Sequence, residues 1–324
     1  LEEKSRHIPL SKKDIAILNP NTKTCPIFRN RKDAQVTKAV YGRIPVLIDD
    51  ARKSGGNAWK ITYLRMFDQT NDADIFEEPG TLKKNGFKLD GNIFAKGKQL
   101  RLPLYEAKML QSFDHRAASV EVIEGNWVRQ GQTTDTRPVE HENPEFVVLP
   151  RWWVNKETVD ATLNNRSAPA YVAIKDVTSS TNQRTMIAAF VPHVALANSA
   201  PLLLIDQEIP LTQQCCLLAN LNSFPYDYIA RQKVGGNHLN FFIVEQLPTL
   251  SPDTYTEKRP WTKKQTLEQW ISERVLKLSC TANDMIPLAK ACNFNPDGKL
   301  PNSGGIPFVY KWRDQDRADL RAQL

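Results

Sequence analysis

Six short apolar runs between residues 100 and 205 constrain this chain more than any other feature: LRLPLYEAKMLQSF, SVEVI, FVVLPRWWV, AYVAIKDV, RTMIAAFVP and APLLLI. Each is rich in β-branched or aromatic residues and bounded by Pro, Asn or Gly, the pattern of strands separated by tight turns. The runs predict a sheet assembled from several short strands. Helical periodicity surrounds it, at residues 32–41, at 213–231, and in KKQTLEQWISERVLKLS, NDMIPLAKACN and RDQDRADLRAQL. This order predicts an α+β chain: a mixed or antiparallel sheet of short strands, flanking helices and a helical C-terminal tail. Residues 68–98 are polar with little periodicity and read as a long irregular stretch, and LNFFIV at 239–244 reads as one more strand.

At 324 residues the chain favours two domains, or one with an elaborated flank. The expected division is an N-terminal segment over 1–100, a central domain over 101–255 and a helical tail over 256–324. Lys and Arg number 43 against 36 Asp and Glu, and the resulting +7 permits binding to nucleic acid without requiring it. Residues 52–60 and 83–101 are basic and contain glycine, as loops along a phosphate backbone would be, although solvated loops share that composition. The five cysteines show no CxxC spacing and no nearby histidines, so they indicate neither zinc nor a disulfide framework, and a reducing cytoplasm fits them best. No apolar run approaches a membrane span, so no membrane partner is expected. A chain that starts without Met and stops inside an apparent helix reads as a fragment of a longer protein.

The motifs of common chemistries are missing. There is no GxGxxG, no Walker A loop and no GxSxG elbow. Asn143-Pro144-Glu145-Phe146 resembles the Asn/Asp-Pro-Pro-Tyr/Phe tetrapeptide of amino-group methyltransferases, but Glu145 replaces the second proline and a polar run precedes it. A turn leading into FVVL is the simpler reading, and Asn19-Pro20-Asn21-Thr22 is a weaker copy. His115, beside Asp114, can be drawn as an acid-base group or, with Arg116, as a phosphate contact. Asp135, Glu140, His141 and Glu142 crowd a turn without recognisable ligand spacing. No catalytic residue, metal site or cofactor is therefore expected within these residues.

The segment RQKVGGNHLNFFIVEQLP, residues 231–248, has the composition of a loop that touches a polyanion. Arg231 and Lys233 carry charge, and Gly235 and Gly236 permit close backbone approach and positive φ, with N–H groups able to bind phosphate. Asn237, His238 and Asn240 can read base edges, and Asn182, Gln183 and Arg184 in STNQRT form a second such group. The alternatives are a helix C-cap followed by a buried strand at 231–248 and a plain hairpin turn at STNQRT. Of Trp152 and Trp153, adjacent on an apolar segment, one is expected in the core.

Taken in order, LNPNTKTCPIFRNRKDAQVTKAVYGRIPVLI, LPLYEAKMLQSFDHR, RWWV, IKDVTSSTNQRTMIAAFVP, LNSFPYDYIARQKVGGNHLNFFIVEQLP and DRADLRAQL resemble the C-terminal half of large bacterial adenine-specific DNA methyltransferases. That family includes type IIG restriction-modification and phage-defence enzymes. The resemblance, from about residue 10 to the end, implies a TaqI-like specificity region that recognises double-stranded DNA. S-adenosylmethionine and the chemistry would belong to an N-terminal methyltransferase domain of the parent polypeptide, which would flip and methylate adenine. On this view Lys108, His115, Arg116, Arg231, Lys233, Gly235 and Gly236 are phosphate contacts, and the two Asn-rich groups read bases. A protein-interaction scaffold of a defence complex, or a fragment with its own nuclease activity, are the competing expectations.

Overall fold

A computed structural model describes residues 7–121, 131–258, 261, 264–296 and 308–324. Its centre is a four-stranded antiparallel sheet of β1 (Ile61–Leu64), β8 (Tyr171–Ile174), β9 (Ala188–Val191) and β11 (Leu202–Ile205), in the order β1-β11-β8-β9. Every residue of β8, β9 and β11 is buried. Along β11, Leu203 and Ile205 enter one apolar core while Leu202 and Leu204 enter a second, and Val172 and Ile174 of β8 alternate with Tyr171 and Ala173 in the same way. A sheet covered on both faces needs apolar residues at both parities, which is why AYVAI and APLLLI read as unbroken runs.

The helices α1 (Lys12–Leu18), α2 (Arg31–Tyr41), α3 (Leu211–Asn222), α4 (Phe224–Lys233) and α5 (Leu267–Ser279) contribute to the first core. Beyond the second core lies a mixed sheet of β2 (Lys88–Asp90), β3 (Ile93–Lys96), β4 (Gln99–Tyr105), β7 (Trp153–Asn155) and β10 (Ala195–Leu196). A ribbon pairs β5 (Ala118–Val120) with β6 (Thr133–Asp135). The architecture is α+β, ending in helix α6 (Asp314–Gln323).

Four expectations change. Residues 68–98 are not irregular: they hold a helix, Pro79–Lys84, and a β2-β3-β4 meander whose two-residue turns begin at Gly91 (φ +57°) and Gly97 (φ +60°). Gly-x between alternating residues is a hairpin signal, legible in KLDGNIFAKGKQL. LNFFIV is no strand, because Phe241–Val244 forms one helical turn. The boundary expected after residue 100 falls inside β4, and β1 closes the central sheet against β11, so the first hundred residues are interwoven with the next hundred. The boundary expected after 255 falls within the turn Pro252–Thr256. Within the tail, Val275 and Leu278 of α5 sit in the first core and α5 packs on α3. Trp153 is buried edge-on to Phe94, whereas Trp152 is half-buried and stacks on Phe76.

One buried guanidinium joins remote segments of this fold. Arg116 is 0 % exposed. Its Nη1 donates to the carbonyls of Asn143 (3.1 Å) and Phe146 (2.9 Å), and its Nη2 to those of His141 (3.1 Å) and Thr281 (3.2 Å). The tetrapeptide Asn143-Pro144-Glu145-Phe146 is thus a strut, with the Pro144 carbonyl accepting from the Asn283 amide as well. Two acid–histidine pairs surround it: His115 with Asp284 at 2.8 Å, and His141 with Asp114 at 3.1 Å. His141 also stacks on Trp312 (3.8 Å between centroids), and Arg317 lies 3.6 Å over the other ring partner, so the C-terminal segment closes on this cluster. Burial alone would raise the Asp114 carboxyl, but the His141 bond and the charges of Arg317, His141 and His115 outweigh it and hold the group at about 2.

Two predictions follow from this cluster. Arg116→Ala strands four carbonyls and removes the cation beside the buried Asp114 and the half-buried Asp284, so chemical denaturation should show a loss of about 3–5 kcal/mol. Because the folded-state pKa of Asp114 is depressed, its contribution is complete above the ordinary aspartate range and disappears as pH falls toward about 2. Wild type and Asp114→Asn should therefore differ in stability at neutral pH and converge near the acid end of a pH series.

Candidate functional site

The β8–β9 connection and the segment after α4 meet on one face of the molecule. The Thr178 amide donates to the Asn237 carbonyl (3.0 Å) and the Leu239 amide to the Asp176 carbonyl (2.8 Å), with Val177 bridged to His238. The two Asn-containing groups, more than fifty residues apart in sequence, are therefore neighbours.

Arg231 makes the junction rigid. Its Nη1 donates to the carbonyls of Ser180 (3.1 Å) and Asn182 (2.8 Å), and its Nη2 to the Gln183 carbonyl (2.9 Å) and Asp227 Oδ2 (3.0 Å). Asp227, buried, uses its other oxygen to accept from the amides of Thr185 (2.7 Å) and Met186 (2.8 Å). A carboxyl on α4 and an arginine one turn later thereby fix both ends of the STNQRT turn. The side chains of Asn182, Gln183 and Asn237 are exposed and make no hydrogen bond among the described residues. His238 is also exposed, with Nδ1 3.5 Å from Asp176 Oδ2.

Most of the cations expected as phosphate clamps have other employment. Lys233 Nζ donates to the Leu18 carbonyl (2.5 Å), Asn19 Oδ1 (2.7 Å) and the Gln246 carbonyl (3.0 Å), and lies 4.8 Å over the Tyr41 ring. Burial pushes its ammonium down to about 7. Arg184 bonds the Asn222 carbonyl and lies over Phe224, so it braces α4 and is not presented for base reading. Lys108 holds the Gly131 carbonyl (2.6 Å) and Glu106 (3.1 Å). His115 and Arg116 lie inside the cluster described above, far below any surface that a phosphate could touch. A sequence shows the charge of such residues and not the carbonyls that occupy it.

The glycines also differ from expectation. Neither Gly235 nor Gly236 has positive φ, and a Cβ added to either would meet nothing within 4 Å. The fold itself does not require glycine there, which leaves close approach from outside as a reason for it. Gly235 lines a cleft of about 190 Å³ with Cys25, Ile27, Lys233 and Phe242, and Ile27 and Phe242 are exposed apolar side chains.

Sequence reasoning missed Arg65 and Asp176. Arg65, just past β1, donates through Nη2 to Asp176 Oδ2 (3.1 Å) and Asn240 Oδ1 (3.2 Å), and through Nε to the Tyr63 hydroxyl (3.3 Å). Tyr63 in turn stacks on Phe241 at 4.2 Å. Asp176 is 4 % exposed, and its Oδ1 has no hydrogen-bond partner among the described residues. The signal available in sequence was only that Lys175-Asp176 ends an apolar strand.

Among the described residues no group of three or more His, Cys, Asp or Glu is placed to hold a metal ion, and no helix is long and apolar enough to cross a membrane. Gly235→Ala and Gly236→Ala should each leave the melting temperature unchanged or raise stability by about 0.4–1 kcal/mol, since only the unfolded chain loses freedom. Arg231→Ala should keep the fold while amide exchange across residues 179–186 accelerates. No family model matches the chain, and no curated protein matches it.

Proposed function

We propose that this chain is a double-stranded DNA recognition region, the part of an S-adenosylmethionine-dependent adenine methyltransferase that chooses the target and leaves the chemistry to another domain. The observation that carries the reading is the convergence of Asn182, Gln183, Asn237 and His238 on one face, the first two on backbone that Arg231 and Asp227 immobilise and the last two on backbone paired with the β8–β9 connection. Exposed amides with unused donors and acceptors suit base edges, since Asn and Gln match the N6/N7 pair of adenine in the major groove. Two glycines beside them that no internal contact demands fit a surface against which another backbone lies. Arg231 and Lys233 act as positioning residues in this scheme, and Gly235 and Gly236 offer their N–H groups to phosphate.

The test is fluorescence-anisotropy titration against a randomised duplex pool across a salt series, followed by sequencing of the retained DNA. Salt-dependent affinity with an enriched motif is the expected result. Substituting Asn182, Gln183, Asn237 or His238 by Ala should relax the motif at one position and cost about 1–3 kcal/mol on the selected duplex. Absence of binding at low salt would remove the DNA reading and favour a protein partner for the apolar side chains Ile27, Val177 and Phe242.

A further inference from the structure

Arg65 differs from the arginines and lysines singled out by sequence. Its side chain is 44 % exposed, yet its guanidinium is held along one edge by three partners, Tyr63, Asp176 and Asn240. Those bonds use Nε and Nη2. The two N–H donors of Nη1 have no partner among the described residues. By contrast, both terminal nitrogens of Arg231 and of Arg116 donate to carbonyls, and the Lys233 ammonium has three acceptors for its three N–H groups.

Asp176 explains how the exposed head is kept in place. It is buried, its Oδ2 lies 3.1 Å from Arg65 and 3.5 Å from His238 Nδ1, and its Oδ1 is left without a hydrogen bond among the described residues. A buried acid with one orphaned oxygen is a poor contributor to stability, since its desolvation is only partly compensated. Its geometry accounts for it better: one oxygen aligns two surface side chains, Arg65 and His238. A guanidinium fixed before binding loses less rotamer freedom when it meets an acceptor, and that difference appears as affinity.

We infer that Arg65 is a DNA-contacting residue of this site and that Asp176 is its positioning residue, presenting Nη1 to an acceptor of the nucleic acid, either guanine O6/N7 or a phosphate oxygen. The inference rests on the DNA reading given above and adds to it a cation that still has donors to give. Asn240 takes a different part from the one its sequence implies, as a brace for Arg65 and not a reader of bases.

The experiment compares wild type, Arg65→Ala, Asp176→Ala and the double variant for binding to the randomised duplex pool, with thermal denaturation of each as control. Arg65→Ala, a change on the surface, should bind the selected duplex about tenfold or more weakly. If Arg65 reads guanine, that loss is confined to the selected sequence and one guanine leaves the enriched motif. If it meets phosphate, all duplexes weaken alike and the salt slope falls by about one unit. Asp176→Ala should lower affinity while melting near the wild-type temperature, and should add to Arg65→Ala no more than His238→Ala adds, since Arg65 and His238 are the two side chains it aligns. Wild-type binding with Arg65→Ala indistinguishable from it on every duplex would overturn this inference and leave the DNA reading intact. Wild type that binds no duplex would overturn both. Should Asp176→Ala fail to fold, the Arg65→Ala comparison decides the matter alone.

Discussion

The Arg116 guanidinium, enclosed by carbonyls from residues 141, 143, 146 and 281, is the contact on which the arrangement of the second half of the chain depends. These carbonyls belong to no regular ladder, so without a donor they would be buried and unpaired. An arginine supplies several donors in a planar fork and keeps its charge at any pH the protein meets, which is why it can serve irregular backbone where a hydroxyl or amide could not. The charge requires compensation of its own, and Asp114 and Asp284 lie close enough to supply it. Both acids then recruit histidines, one of which stacks on Trp312 and so brings the last helix into the cluster. Packing at the C-terminus is thus a consequence of how a loop near residue 143 satisfies its backbone.

The same device recurs at smaller scale. Lys233 gathers the end of α1 and the turn at Gln246, and Arg231 gathers the STNQRT turn. In each case a cation binds backbone carbonyls from a segment remote in sequence. The formal +7 is therefore a poor guide to the charge this molecule shows to a polyanion, because cations such as Arg116 and Lys233 and acids such as Asp114, Asp176 and Asp227 are alike directed inward.

How much of this was legible in sequence depends on the range of the interaction. Strands of the central sheet announce themselves because burial on both faces demands apolar residues at every position, as in Leu202–Ile205. The meander after residue 88 was equally readable through Gly91 and Gly97, both governed by a rule of two residues. LNFFIV misled because four apolar residues in a row fit a helical turn as well as a strand, and periodicity cannot separate them at that length. Partners of charged groups lie beyond such rules. Arg65 finds Asp176 and Asn240 at separations of 111 and 175 residues, and nothing near any of the three marks the meeting. The residue types of the site could be guessed from composition, while the division of labour among them could not.

That division has a physical logic of its own. Side chains that discriminate between bases gain from a fixed backbone, because a loop ordered only on binding subtracts its ordering entropy from every contact it makes. The STNQRT half of the face is fixed in advance by Arg231 and Asp227, and Arg65 by Asp176. The half containing Gly235 and Gly236 is held through the Asn237 carbonyl and the Leu239 amide, and leaves open space where side chains on the two glycines would stand. On the proposed DNA reading, the pinned turn would set the register and the open space at the glycines would leave room for the partner's backbone. Making both halves rigid would demand complementarity along the whole face, while leaving both loose would sacrifice affinity to ordering. On that reading glycines belong beside the pinned turn, where their freedom would cost binding the least.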